Sequence, residues 1–258
     1  MILVVSCAAS GCPHSATTNV YVTNMFVIRC HMADTPLSRR ERAPKPALTR
    51  EGIIEAALTI LGEEGLRKVT MRRIAAALDT GPASLYVYVR DTEDLHAQIL
   101  DALLMPVVSV ATRGAWRGRL IRLVTGYASV LFTHPEIARM TMRTHPSGPN
   151  YLSLVDTVLG LLQKGGVQDQ DAAWAVDILL AYATANAVEH GPGDADSNKA
   201  DDFSALEAEI ATVDPQAYPN VARLGDQLLS GSGGERFRWG LEVLINGVLH
   251  TPQPRSGR

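Results

Sequence analysis

The stretch from Thr70 to Leu95 (TMRRIAAALDTGPASLYVYVRDTEDL) constrains the fold more than any other part of the chain. Its apolar residues recur at helical spacing on both sides of a break at Asp79–Pro82. Pro82 suits the first turn of a new helix, where its missing N–H costs nothing, and Asp91 can cap a third helix. Two short helices joined by a tight turn and followed at once by a third predict a helix-turn-helix, whose second helix enters the major groove of DNA.

A further helix precedes this stretch. Thr49 is an N-cap candidate, and Gly62 and Gly65 can end the helix because glycine tolerates the left-handed conformation. Thr70 is the N-cap candidate of the following helix. The residues of the first helix expected to face the core are Ile54, Ala57, Leu58 and Leu61.

The remaining chain also shows helical spacing, so we predict an all-α protein with a small N-terminal helix-turn-helix domain and a larger helical domain. Pro106 is expected to kink the fourth helix or to end it early. The acidic stretch Gly191–Asp202 is predicted to be a mobile loop. The predicted helices are 50–62, 71–78, 82–89, 92–112, 116–133, 135–142, 149–164, 169–189, 203–212, 217–230 and 234–249.

The charges are unevenly distributed. Residues 33–90 carry 10 Lys and Arg against 7 Asp and Glu, whereas residues 91–258 carry 13 against 20, in a chain whose net charge is −3. A basic N-terminal module on an acidic remainder is expected when that module contacts phosphates. The basic cluster before the first helix could be an arm along the DNA or only a soluble tail; it comprises Arg39, Arg40, Arg42 and Lys45.

The first 31 residues differ from the rest and hold all three cysteines, Cys7, Cys12 and Cys30. They lack the basic start of a signal peptide and the paired spacing of a zinc site, so we expect no metal. A disordered tail or a start codon placed too early, with Met25 or Met32 as the natural start, explains them best. No later segment is apolar enough to span a membrane. The folded part needs no disulfide, which fits the cytoplasm.

Thr49 to Leu104 resembles the DNA-binding domain of the TetR family of bacterial regulators. The resemblance rests on Thr-x-Arg-x-Ile-Ala-x-x-Leu followed by Leu-Tyr-x-aromatic-Val, here Thr70, Arg72, Ile74, Ala75, Leu78, Leu85, Tyr86, Tyr88 and Val89. One position departs from the pattern, because Asp79 replaces the usual glycine of the turn. Asp tolerates the left-handed region better than most residues, so the turn should persist with some strain.

Leu120 to Val248 is similar to the regulatory core of the tetracycline-repressor branch, through HPEIARMTMRTHP, Asn186–Glu189 and FRWGLEVLINGV. The domains implied are a tail over 1–44, the DNA-binding domain over 45–92, an effector-binding and dimerisation domain over 93–250 and a tail over 251–258. The resemblance implies a homodimer built on two helices. Its expected interface residues are Val176, Leu179, Leu180, Ala183, Phe237, Leu241, Leu244, Ile245 and Val248, although part of each stripe must be internal core.

The resemblance also implies how double-stranded operator DNA is read. Arg72 is the best candidate for a base contact, because arginine can bind guanine O6 and N7 with two hydrogen bonds. Pro82, Ala83, Ser84 and Val87 offer small or apolar surface to thymine methyl groups. Tyr86 and Tyr88 could donate their hydroxyls to phosphate or pack in the core. Further phosphate candidates are Thr70, Arg90 and Thr92, and Arg73 is read as a solvated charge.

The larger domain is expected to hold a small-molecule effector and no other cofactor. In the tetracycline-binding branch a histidine helps to bind the drug's magnesium; Thr141 occupies that position here, whereas Glu189 matches the branch's acidic residue. Magnesium–tetracycline recognition is therefore in doubt. Each pocket candidate could equally be a core or surface residue: Trp116, Tyr127, His134, Met140, Thr141, Thr144, His145, Trp174, Tyr182, Asn186 and Glu189.

These features favour a cytoplasmic, nucleoid-associated repressor that is released from a palindromic operator by its effector. An activator on the same fold is the first alternative. The second is an all-α small-molecule-binding protein or enzyme without DNA activity. The sequence gives little support to this second alternative, because it contains no HExxH, GxSxG, P-loop or Rossmann glycine pattern.

Overall fold

The computed structural model describes residues 47–110, 113–144, 146–192 and 196–251, and all side chains among them except those of residues 110 and 196–203. This part of the chain is helical and contains no strand. Its helices are α1 (Arg50–Glu64), α2 (Met71–Ala77), α3 (Pro82–Leu85), α4 (Thr92–Val110), α5 (Trp116–Thr133), α6 (Pro135–Thr141), α7 (Pro149–Lys164), α8 (Asp169–His190), α9 (Asp196–Ala211), α10 (Pro219–Leu229) and α11 (Gly233–His250), with a 3-10 turn (Leu66–Lys68) after α1.

The helix starts follow local capping chemistry. The Thr49 hydroxyl accepts a hydrogen bond from the Gly52 N–H at 3.0 Å, and the Asp91 carboxylate accepts one from the Asp94 N–H at 2.8 Å. Thr70 caps α2 in the same way. These side chains satisfy donors that have no partner within their own helix. The three predicted caps are therefore confirmed.

Three helix predictions need correction. The helix predicted over 82–89 is regular only for Pro82–Leu85 and continues as a turn through Tyr88. The stretch predicted as a loop up to Asp202 is helical from Asp196, since acidic residues are favourable in a first turn. Pro106 does not end α4 early, since the helix continues to Val110; a kink at Pro106, the other expected outcome, stays a prediction.

The head, α1–α3, is packed around a small apolar core to which α4 contributes. The buried residues of α1 are Ile53, Ala57, Ile60 and Leu61. The buried face of the helix is therefore rotated relative to the predicted one. Ile54 and Leu58 are only partly buried. The rotation arises because α1 packs against both α2 and α4, which cover adjacent faces of the helix.

The larger helical layer is centred on α5 and α8, with α7 packed against α4 and α5. The helix α4 contacts α1 of the head and also α5, α6 and α7, so it connects the two parts physically. The helices α9 and α10 pack on each other, and α10 buries no residue. Among the described helices, none is both long and apolar enough to cross a membrane.

Candidate nucleic-acid interface and effector site

The turn between α2 and α3 sets the position of α3, the helix predicted to enter the major groove and called here the reading helix. Asp79 has φ of +49°, in the left-handed region, and is the only such non-glycine among the described residues. Its N–H donates to the Ala76 carbonyl at 3.2 Å, and the Thr80 N–H donates to the Ala75 carbonyl at 2.9 Å. This pair of bonds is a Schellman motif, which normally has glycine at the position of Asp79. The expectation that the turn persists with Asp in a left-handed conformation is confirmed.

Substitution of Asp79 should reveal this strain. We expect Asp79→Gly to stabilise the protein by about 0.5 kcal/mol, because relief of about 1–2 kcal/mol outweighs the added entropy of the unfolded chain. Asp79→Val should cost about 1–3 kcal/mol, since a β-branched residue is poorly tolerated there. Denaturant unfolding measures both. Asp79→Asn is the control for charge; a loss with Asn as large as that with Val would contradict a conformational origin.

The exposed surface of α3 and the turn after it carries most of the predicted DNA contacts. Leu85 and Val89 are fully buried and anchor the segment in the head. Tyr86 is 54% exposed and Val87 is 79% exposed. Large apolar side chains in water at these positions suit a surface that contacts another molecule. The predicted contacts that are exposed are Thr70, Arg72, Pro82, Ala83, Ser84, Tyr86, Val87, Arg90 and Thr92.

Two predicted roles on this surface change. The Tyr88 hydroxyl donates to the Leu48 carbonyl at 2.7 Å in a half-buried position, so its proton is committed within the head and not to phosphate. The guanidinium of Arg73 is paired with Glu64, and its Nε lies 3.0 Å from Glu64 Oε1. This hydrogen-bonded pair raises the pKa of Arg73 and lowers that of Glu64. Arg73 therefore ties α2 to the end of α1 and is not merely a solvated charge.

Polar side chains from four helices meet inside the larger layer. The Tyr127 hydroxyl on α5 lies 3.1 Å from the Thr184 hydroxyl on α8, and both side chains are buried. Burial raises the pKa of Tyr127 to about 12; the Thr184 and Thr141 hydroxyls partly offset this shift and Tyr151 adds to it. We call Tyr127, Thr141, Tyr151 and Thr184 the hydroxyl cluster. Its members are uncharged polar side chains, and the Thr141 hydroxyl donates to the Ala138 carbonyl at 2.7 Å.

Thr184 and Tyr151 were not predicted. Thr184 lies on the same helix face as Leu180, Ala183 and Ala187, all of which are buried. A polar residue on an otherwise apolar stripe is a signal that could have identified Thr184 from the sequence. Tyr151 follows the start of α7, and the sequence contains no comparable signal for it.

The other predicted pocket residues occupy several different environments. Glu189 is 76% exposed at its side chain, and Trp174 is half exposed. Tyr182 stacks on Phe237, and Trp116 packs beside Gly165. Of the other candidates, Met140 is buried, Thr144 donates to the Met140 carbonyl, His134 and Asn186 line two separate cavities, and His145 lies outside the described residues.

The two cavities border the larger layer. One, of about 520 Å³, lies between the end of α1 with its 3-10 turn and the α5–α6 turn, where Arg67 and Glu136 form an ion pair at 3.5 Å. His134 lines it, and burial lowers the pKa of that imidazole. The other, of about 400 Å³, lies between α5, α8 and the start of α11, with Asn186 in its wall. Within the described residues, no group of three or more His, Cys, Asp or Glu could hold a metal ion.

The predicted dimer residues are mostly internal. Burial inside the single chain accounts for seven of the nine: Val176, Leu179, Leu180, Ala183, Phe237, Leu241 and Ile245. Leu244 and Val248 are partly buried. Large apolar side chains on α8 and α11 are instead exposed at Trp174, Ile178, Trp239 and Val243, which we call the exposed stripe. Both helices carry apolar residues on more than one side, so most of the predicted interface residues belong to the core of the single chain.

The helices α8 and α11 are held at a fixed spacing within the chain. The rings of Tyr182 and Phe237 are nearly parallel, with centroids 5.3 Å apart. A Cβ at Gly240 would overlap the Tyr182 hydroxyl, so only glycine permits this approach. On the other side, Arg117 of α5 donates to Glu242 Oε2 at 2.6 Å and to the Asn246 side-chain oxygen at 2.7 Å.

Comparisons with known proteins agree with this geometry. Residues 53–99 match the family model for bacterial regulatory proteins of the tetR family, and residues 111–251 match the tetracyclin repressor-like C-terminal domain. The HTH-type transcriptional repressor DrrR1 of Streptomyces coeruleorubidus is 29% identical over 231 residues, which span 85% of this chain and 84% of that protein.

Two solved structures from Streptomyces coelicolor extend the agreement to the fold. SCO7704, assigned as a transcription regulator, is 43% identical with a TM-score of 0.68 and covers 83% of this chain and all of its own. ActR in complex with actinorhodin is 31% identical with a TM-score of 0.68, over 79% of this chain and 96% of its own. Proteins with these two domains are ligand-responsive, DNA-binding transcription factors. The chain belongs to the TetR family of bacterial regulatory proteins.

Proposed function

We propose that this chain represses transcription as a homodimer bound to a palindromic operator, and that a small molecule in its larger layer releases it. The observation that carries this proposal is the reading head, in which a Schellman turn at Asp79 presents the exposed face of α3 beside Arg72. Its site of action would be DNA in the cytoplasm, associated with the nucleoid.

The exposed stripe supports assembly from two copies. Trp239 is 70% exposed and Val243 is 46% exposed, on a helix adjacent to α8 with its own exposed Trp174 and Ile178. Exposed large apolar side chains on two helices that pack together are typical of an interaction surface. A second copy is the favoured occupant, because two heads on a two-fold axis read a palindrome with recognition helices about 34–36 Å apart.

The hydroxyl cluster supports an uncharged effector with hydroxyl or carbonyl groups. Tyr127 and Thr184 are buried and already within hydrogen-bonding distance, and a pKa of about 12 keeps the Tyr127 proton in place at physiological pH. A charged ligand would find no compensating charge among the four cluster residues. Thr141 provides a hydroxyl where the magnesium-binding branch has histidine. We therefore propose that the effector is not magnesium–tetracycline.

Fluorescence anisotropy with the DNA upstream of the gene tests the regulator directly. We expect palindrome-dependent binding whose logarithm falls linearly with log salt, with a slope of about −0.9 for each neutralised phosphate. Weak binding that ignores sequence would contradict the proposal. A promoter fusion in a deletion strain separates repressor from activator, because expression should rise when a repressor is lost.

A ligand found by release from that operator permits a second test. Operator and ligand must weaken each other's binding by the same factor, because the coupling is a single free energy. Titration of the ligand into the protein alone and into the protein–DNA complex measures this factor. Equal operator affinity with and without a bound ligand would contradict effector control.

A further inference from the structure

Asp101 of α4 is the one buried charged side chain among those that the structure describes. Its Oδ1 accepts a hydrogen bond from the Tyr151 N–H at 2.8 Å, and its Oδ2 accepts one from the Asn150 side-chain amide at 3.0 Å. Both donors lie in the first turn of α7. The carboxylate of one helix therefore caps another helix that is remote in sequence.

The start of α7 is built for this contact. Gly148, the residue at its N-cap position, has no side chain with which to cap the helix, and its φ is +140°. A Cβ at Gly148 would overlap the Asp101 carboxylate. Glycine is thus required here both for its backbone conformation and for the space that the carboxylate occupies. Asp101 supplies the capping group that the local sequence lacks.

The contact joins the helix that carries the head to the hydroxyl cluster. The helix α4 begins directly after the reading segment. Tyr151 lies in the first turn of α7, which packs against α5, the helix of Tyr127 in the cluster. Pro106 cannot donate a backbone hydrogen bond to Ala102, so the hydrogen-bond ladder of α4 is interrupted one turn beyond Asp101. Asp101 lies on the head side of that interruption. A displacement of the Tyr151 backbone would therefore move the N-terminal half of α4, which is connected to the head.

We propose that Asp101 is the positioning residue that transmits the state of the hydroxyl cluster to α4 and so sets the orientation of the head. This inference rests on the proposed function, because it requires that operator and effector states be linked. By the same linkage, operator binding must change the stability of the hydrogen bonds in the first turn of α7. This effect can be measured without knowing the effector.

The test uses the full chain and the palindromic DNA found by the anisotropy assay as the probe. Amide hydrogen exchange at Tyr151 is measured for the free protein and for the complex. In the wild type we expect operator binding to change the exchange rate of that amide at least 10-fold. Asp101→Asn keeps one acceptor but loses the charge and the bond from Asn150, so the change should fall below 2-fold.

Two further variants make the result specific. Asn150→Ala removes one bond and leaves the Asp101 charge, so its operator-dependent change should be intermediate; it also serves if Asp101→Asn does not fold. Asp156→Asn alters an exposed carboxylate on the same α7 and should behave as wild type.

The outcomes separate the two proposals. If Asp101→Asn and Asn150→Ala show the full operator-dependent change at Tyr151, Asp101 is only a structural cap and the inference is overturned. If the wild type binds the operator and its Tyr151 amide does not respond, the inference is overturned and the proposed function is unaffected. If the wild type binds no specific DNA, the proposed function fails and the inference fails with it.

Discussion

Val243→Asp should convert the dimer into a monomer and lower operator affinity by about 100-fold or more. Val243 lies on the exposed stripe of α11 beside α8. In a two-fold dimer each substitution occurs twice, and each carboxylate would be buried without a partner, at a cost of about 3–5 kcal/mol. A single head then loses the advantage of two linked heads, which is about 10²–10⁴-fold.

Sedimentation velocity and anisotropy on the same samples measure the two effects together. Leu152→Asp is the matched control, because Leu152 is also an exposed apolar residue but belongs to α7 and not to the stripe. It should remain dimeric and keep its operator affinity. A Val243→Asp protein that sediments as a dimer would show that the subunits meet on another face.

Arg72→Ala should weaken operator binding by about 30-fold or more, because the proposed dimer loses a bidentate contact worth about 1–3 kcal/mol in each half-site. Arg72 is exposed in the first turn of α2, adjacent to the reading helix. The loss should be confined to one base pair of each half-site, where the variant should accept other bases almost equally. Competition binding with operators substituted at each position measures this.

Arg73→Ala is the control for Arg72→Ala, because it removes an arginine from the same helix that is engaged by Glu64. It should leave base preference unchanged. If Arg72→Ala instead weakens binding uniformly across sequences and reduces the salt slope by about one, Arg72 contacts phosphate and does not read a base.

The helical layout could be predicted because its signals are local. Thr49, Thr70 and Asp91 each cap a helix through the N–H of the residue three positions ahead, so their role can be predicted from the sequence. The left-handed conformation of the turn could also be predicted, since Asp79 occupies the position where the family pattern has glycine. Only α9 begins far from its predicted start, because acidic residues suit both a loop and a first helical turn.

The parts that could not be predicted depend on which faces meet in three dimensions. The helix α8 is apolar around most of its circumference, so periodicity could not distinguish the core face of Leu179 from the exposed face of Ile178. The bond from Tyr88 to Leu48 and the cap from Asp101 to Tyr151 join residues 40 and 50 positions apart. No local sequence pattern predicts such pairs.

Gly240 permits the close packing of α8 and α11 within a single chain, so this packing does not require a second copy. In the proposed dimer, the surface that meets the second copy would thus already be formed, and association would require little ordering of side chains or backbone. We expect an association rate constant in the ordinary protein range, about 10⁵–10⁷ M⁻¹ s⁻¹, so that the lifetime of the dimer is governed by dissociation. Labelled and unlabelled subunits of the proposed dimer should then mix at the dissociation rate.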